Sequence, residues 1–144
     1  MTSLSSQSKH LANTQELDIP GARESLLQKT EAFMLQLCET ECDIPIKDML
    51  HEHLHTGGKR LRTKLAISTA QQLNVNDELI IPWAAACELL HNATLIHDDI
   101  QDGDTRRRGT PTLWFKYGQA QGINAGDIGL MLPFRALEHL NTTD

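Results

Sequence analysis

Large apolar residues recur along the middle of this chain at intervals of three, four and seven, the spacing that brings side chains onto one face of an α-helix. Leu26, Leu27, Phe33, Met34 and Leu37 follow that spacing and predict an amphipathic helix that starts at Pro20 and ends between Cys38 and Asp43. Pro45 is placed to open a second helix carrying Ile46, Met49, Leu50 and Leu54. Gly57-Gly58 closes it, because paired glycines accept left-handed backbone and allow close approach. A third helix is expected from Lys59 to about Leu73, with Leu61, Leu65, Ile67 and Ala70 available for packing. Asn76-Asp77 can cap a longer fourth helix from about Glu78 to Gln101, with Pro82 in its first turn or so. Pro111 to Tyr117 reads as a short helix, and Gly122 to Leu140 as another interrupted at Pro133. No segment alternates apolar and polar residues as a half-buried strand does, so the expected fold class is all-α.

Residues 1–19 break the pattern: they are rich in Ser, Thr, Gln and Asn and hold too few large apolar groups to offset the entropy of ordering. They are expected to form a disordered tail, with a transit peptide disfavoured by the lack of arginine, and residues 20–144 to form the folded unit. A formal net charge of -6 argues against nonspecific nucleic-acid binding, which needs many cations to neutralise phosphates. The basic residues concentrate in two short clusters, which suits a small polyphosphate better than a polymer. No apolar run approaches the roughly 20 residues that span a bilayer, and the N-terminus lacks a signal peptide's apolar core, so a cytoplasmic protein without a transmembrane segment is expected. Cys38, Cys42 and Cys87 are odd in number and lack a second ligand pair, which supports idle thiols over a disulfide framework or a zinc site. His51 and His55 share a face, but nothing nearby completes a ligand set, and a solvated histidine face is the expected reading.

The chemistry is concentrated between Glu88 and Arg108. Glu88, His91, Leu95, Asp98 and Asp102 fall three or four residues apart on one helix face, with Asp99 about 100° round from Asp98. Three carboxylates at the C-terminal end of an apolar helix repel each other and oppose the helix dipole. A hard cation resolves that conflict, and Mg²⁺ typically takes one or two carboxylates, several waters and phosphate oxygens. The opposite conflict occurs at Lys59-Arg60-Leu61-Arg62, where cations stand at a helix N-terminus, and a bound anion resolves it.

Asp98-Asp99-Ile100-Gln101-Asp102 resembles the first aspartate-rich motif, Asp-Asp-x-x-Asp, of the trans-prenyltransferase (polyprenyl synthetase) family. The likeness continues in Gly57-Gly58-Lys59-Arg60-Leu61-Arg62, in Arg107-Arg108-Gly109 and in Gly126-Asp127, in the family's order and covering about Leu50 to Leu140. It implies an isoprenoid-synthase-type helical bundle, here an incomplete, N-terminal portion, since the chain stops before the family's second aspartate-rich motif. It implies an isoprenyl diphosphate synthase that condenses isopentenyl diphosphate with an allylic diphosphate, using Mg²⁺ held by Asp98 and Asp102 with Asp99 assisting. Lys59, Arg62, His91 and Arg108 match the family's contacts to isopentenyl diphosphate, and Arg107 its contact to the allylic diphosphate. Arg106 has no matched role. Thr63 stands where the family commonly has proline. Asp127 is expected to be a buried, hydrogen-bonded polar group rather than a catalyst.

The family closes its product tunnel with bulky aromatics four or five positions before the aspartate motif, where this chain has Thr94 and Ala93, with Ala86 two turns above. Geranylgeranyl or longer products are therefore expected, with Ala93→Phe shortening the product in an intact enzyme. A homodimer is expected from the resemblance. The alternative reading is a noncatalytic or regulatory subunit carrying a substrate-like half site. A terpene cyclase shares the acidic helix but takes no isopentenyl diphosphate and has no need of the Gly57 to Arg62 motif. A helical interaction module leaves the separated clusters of opposing charge unexplained.

Overall fold

A computed structural model describes residues 20–140; the tail expected over residues 1–19 lies outside the described residues, as do residues 141–144. The elements in chain order are α1 (Pro20–Glu41), α2 (Ile46–His55), α3 (Leu61–Gln72), α4 (Asp77–Asp102), a hairpin of β1 (Arg106–Arg107) and β2 (Thr110–Pro111), α5 (Leu113–Tyr117) and α6 (Gln119–Leu137). The all-α expectation holds, with the hairpin as a local addition.

Helix α4 is the axis of the bundle and packs most extensively on α6, then on α3 and α1. Its start follows from sequence: the Asn76 side chain accepts a hydrogen bond from the Glu78 N–H at 3.2 Å, and Asp77 and Glu78 meet the positive end of the dipole. It stops at Gly103, whose φ of 70° suits glycine. Ala84, Ala85 and Ala86 are buried, and their small side chains let neighbouring helices close on α4. One core cluster joins Met34 and Leu37 of α1, Met49 and Leu50 of α2, Leu89 and Ile96 of α4 and Leu132 of α6. A second joins Leu26, Ile67, Ala70, Ile80 and Ala84. Each large apolar side chain so buried contributes about 1.5–3 kcal/mol before entropy is charged against it.

Four expectations are corrected. Helix α3 begins at Leu61, not Lys59, because Arg60 adopts a left-handed φ of 47°. Its buried face is Thr63, Ile67 and Ala70, whereas Leu61 and Leu65 are 64% and 70% exposed; a buried threonine at the head of the face disguised its register. Helix α6 runs unbroken through Pro133, since burial of Leu132, Pro133 and Ala136 outweighs one lost backbone hydrogen bond. Finally, α4 contains an 18-residue window of mean hydropathy 1.4, long and apolar enough to cross a membrane by length and composition. That window is 56% buried inside the protein, so packing at the centre of the bundle accounts for its apolarity.

Candidate diphosphate and metal site

Asp99 and Arg107 set the geometry at the end of α4. Arg107 donates to Asp99 Oδ1 through Nε at 2.8 Å and lies 2.6 Å from it through Nη2. Asp99 is 2% exposed, and the bond to it raises the Arg107 pKa above its usual value. The arginine arrives there because the chain reverses in a two-residue turn at Arg108-Gly109, both with positive φ, that pairs Arg107 with Thr110. Thr112 Oγ1 and Trp114 Nε1 both donate to the Asp104 carbonyl at 2.8 Å and fix the hairpin to the end of α4.

Asp99, expected to assist at the metal, is buried and has its Oδ1 paired with the Arg107 guanidinium, unlike the other two carboxylates of the motif. Asp98 and Asp102 are exposed, one helical turn apart, and their carboxylates have no hydrogen-bond or ion-pair partner among the described residues. No group of three or more His, Cys, Asp and Glu side chains is gathered as a metal cage among the described residues. Two free carboxylates on an open helix end nevertheless fit Mg²⁺, which takes few protein ligands and fills the rest with water and phosphate.

Arg108 reaches the Gly57 to Arg62 turn from the other side. A Cβ on Gly58 would lie 2.5 Å from Arg108 Nη1, so glycine is required there for the guanidinium to rest on the backbone. His91, half-buried on α4, has its pKa lowered by burial first and then by Arg62; Glu88 works against this, and Arg108 and Arg107 add to it. His91 therefore feels the positive charge of Arg62, Arg108 and Arg107. Lys59 is exposed in the turn beside Gly58, and neither Lys59 nor Arg62 makes an ion pair among the described residues.

Arg60 behaves differently from its basic neighbours. Its Nε donates to Glu31 at 2.8 Å, its Nη2 to the Leu54 carbonyl at 2.7 Å and its Nη1 to Glu88 at 3.5 Å. Glu88 also accepts from the Thr63 N–H at 3.3 Å, the Thr63 hydroxyl at 2.9 Å and Asn92 Nδ2 at 3.3 Å. Along the sequence Arg60 stands only as one cation of the basic run and Thr63 only as a departure from proline; the signal for their inward contacts is Glu88, an acid inside an apolar stretch and one turn before His91.

His53 shares the α2 segment with His51 and His55 but has a different setting. It is 5% exposed, its Nε2 has no hydrogen-bond partner among the described residues, and burial, opposed by a hydrogen bond to the Asn92 backbone and reinforced by Arg107, Arg108 and Arg60, pushes its pKa down to about 4. His51 and His55 do lie together on α2, with His51 Nε2 at 3.2 Å from the Leu35 carbonyl. Asp127 is corrected from buried to exposed, its side chain being 65% accessible and bonded to His97 Nε2 at 3.1 Å. Ala93 and Thr94 part company: Ala93 is buried against Gly129 of α6, and Thr94 is exposed. Arg106 is exposed and donates to the Gly109 carbonyl within its own hairpin.

Residues 44–144 match the polyprenyl synthetase family. Over 87 residues the chain is 45% identical to the short chain isoprenyl diphosphate synthase of Methanocaldococcus jannaschii, covering 60% of this chain and 27% of that protein. It is 47% identical over 90 residues to the geranylgeranyl diphosphate synthase of Saccharolobus solfataricus, covering 62% and 26%. Among solved structures, polyprenyl synthetase from Streptomyces coelicolor superposes with a TM-score of 0.77 at 29% identity, covering 88% of this chain and 40% of that one. Geranyltransferase from Legionella pneumophila gives 0.74 at 33% identity, covering 83% and 43%. The chain therefore spans about a quarter of the length of these curated relatives and under half of these structures.

Proposed function

The chain belongs to the polyprenyl synthetase family, and from that premise we propose that it provides the isopentenyl and allylic diphosphate half-sites of a Mg²⁺-dependent isoprenyl diphosphate synthase. The observation that carries this reading is the double reach of the arginine hairpin, with Arg107 on Asp99 of the acidic helix end and Arg108 against Gly58 of the basic turn.

In the reaction, the allylic C–O bond breaks with its electron pair leaving on diphosphate, the double bond of isopentenyl diphosphate forms the new C–C bond, and a proton is lost, with diphosphate as its acceptor. Asp98 and Asp102 would hold Mg²⁺, which when bound supplies positive charge for the leaving group. Asp99 aims Arg107 at the same leaving group, where a preorganised cation stabilises charge as it develops. Lys59, Arg62, His91 and Arg108 hold the second diphosphate, placing the acceptor double bond for attack. At the two positions before the aspartate motif where a bulky side chain would limit the product, Thr94 is small and exposed while Ala93 packs against α6, and this reading favours a long product, geranylgeranyl or larger. The same reading makes the protein cytoplasmic and homodimeric.

Calorimetric titration tests the half-sites: the chain should bind isopentenyl diphosphate, and an allylic diphosphate with Mg²⁺, and failure to bind either sinks the proposal. A noncatalytic or regulatory subunit that carries the same substrate-like half-sites is the second reading. Both diphosphates supplied with Mg²⁺ should give little or no turnover by this chain alone; rapid turnover excludes that second reading.

A further inference from the structure

We propose that Glu88 and Thr63 form a positioning pair that locks the isopentenyl diphosphate turn onto the acidic helix, an inference that rests on the function proposed above. Glu88 is 5% exposed and Thr63 is fully buried. The carboxylate receives the N–H and the hydroxyl of Thr63, and through Arg60 it is tied to Glu31 of α1 and the Leu54 carbonyl of α2. These contacts join the turn, the start of α3 and the middle of α4 at a single acceptor, one helical turn from His91.

Charge accounting assigns the roles. Arg60 faces two carboxylates and a carbonyl, so the fold consumes its charge, and the left-handed φ of 47° turns it inward. Lys59 and Arg62, on either side of it, are then left outside for an anion. Thr63 matters because the proline that the family commonly has at this position offers neither an N–H nor a hydroxyl. In this chain the turn is held by two hydrogen bonds to a buried charge, and bonds of that kind are stronger than neutral ones.

The test titrates the 144-residue chain with isopentenyl diphosphate and, separately, with an allylic diphosphate plus Mg²⁺, alongside thermal unfolding. Thr63→Val keeps the shape and the N–H but removes the hydroxyl, and should weaken isopentenyl diphosphate binding about fivefold, the equivalent of one hydrogen bond. Thr63→Ser should restore it, and Glu88→Gln should weaken it more than Thr63→Val does. Allylic diphosphate binding should stay unchanged in the threonine variants, a selectivity that general loss of packing would not produce. If Glu88→Gln fails to fold, the two Thr63 variants decide alone. Equal loss of both ligands in Thr63→Val, or no loss of either, overturns the pair while leaving the function intact. Failure of the unsubstituted chain to bind isopentenyl diphosphate overturns both.

Discussion

Arg107 and Asp99 are joined by a guanidinium edge on a single carboxylate oxygen, at 2.8 and 2.6 Å, although the aspartate lies inside the last turns of α4 and the arginine beyond its end. The pair divides the aspartate motif into two kinds of residue. Asp99→Asn should destabilise the fold by about 2–3 kcal/mol in urea unfolding, since it leaves a part-buried cation without its counter-charge. Asp98→Asn should leave stability within about 0.5 kcal/mol, as for other exposed sites, and lower only the Mg²⁺-dependent affinity for an allylic diphosphate. Equal stability losses in the two variants would remove the distinction.

His53 makes stability fall in mild acid. Its pKa is lowered to about 4 in the folded protein, by burial first and then by arginines, against an ordinary value of 6.5. The unfolded chain therefore takes up the proton first, and the stabilisation present above pH 6.5 is lost progressively as the pH falls toward 4. The loss from this group between pH 7 and pH 5 is about 2 kcal/mol. His53→Leu should flatten that part of the pH profile of unfolding; an unchanged slope would show that other groups carry it.

His91 should report the arrival of a diphosphate. Burial and Arg62 lower its pKa in the free protein, and an anion placed among these cations removes part of that repulsion. Binding near pH 6.5 should take up a fraction of a proton, measured by calorimetry in buffers of different ionisation enthalpy. His91→Asn should abolish the uptake.

A methyl on Gly58 would strike the mobile end of Arg108 rather than backbone. Gly58→Ala should consequently leave the unfolding midpoint nearly unchanged while displacing the guanidinium and weakening isopentenyl diphosphate binding, on the order of tenfold, as expected for one charged contact. A large drop in the midpoint with unaltered affinity would mean that Arg108 is not held against the turn for binding.

Ala93 and Gly129 fix how closely α4 and α6 approach, since a Cβ on Gly129 would lie 3.2 Å from that of Ala93. Ala93→Phe should then cost about 1–3 kcal/mol of stability through overpacking. Thr94→Phe, on the exposed face, should cost little. Product shortening on chromatography, in an enzyme completed by the rest of the family's bundle, is accordingly expected more cleanly from Thr94→Phe. Full stability in Ala93→Phe would show that the crossing can open.

Most helices, and the charges clustered at their ends, are legible along the chain. Apolar spacing and local signals such as Asn76 and Gly57-Gly58 act within a turn or two, so they can be read without knowing the fold. The misplaced charges at the start of α3 and the end of α4 stand out in the same local way. Which of those charges pair inside the fold, and which stay exposed, emerged only from packing. Arg60, Arg62, Asp98 and Asp99 look alike along the chain, but Asp99 is sealed beneath Arg107 and Arg60 is enclosed by Glu31, Leu54 and Glu88. The continuity of α6 through Pro133 and the buried face of α3 were settled in the same way. Each depends on which neighbours remove a side chain from water, and those neighbours are brought together only when distant segments pack.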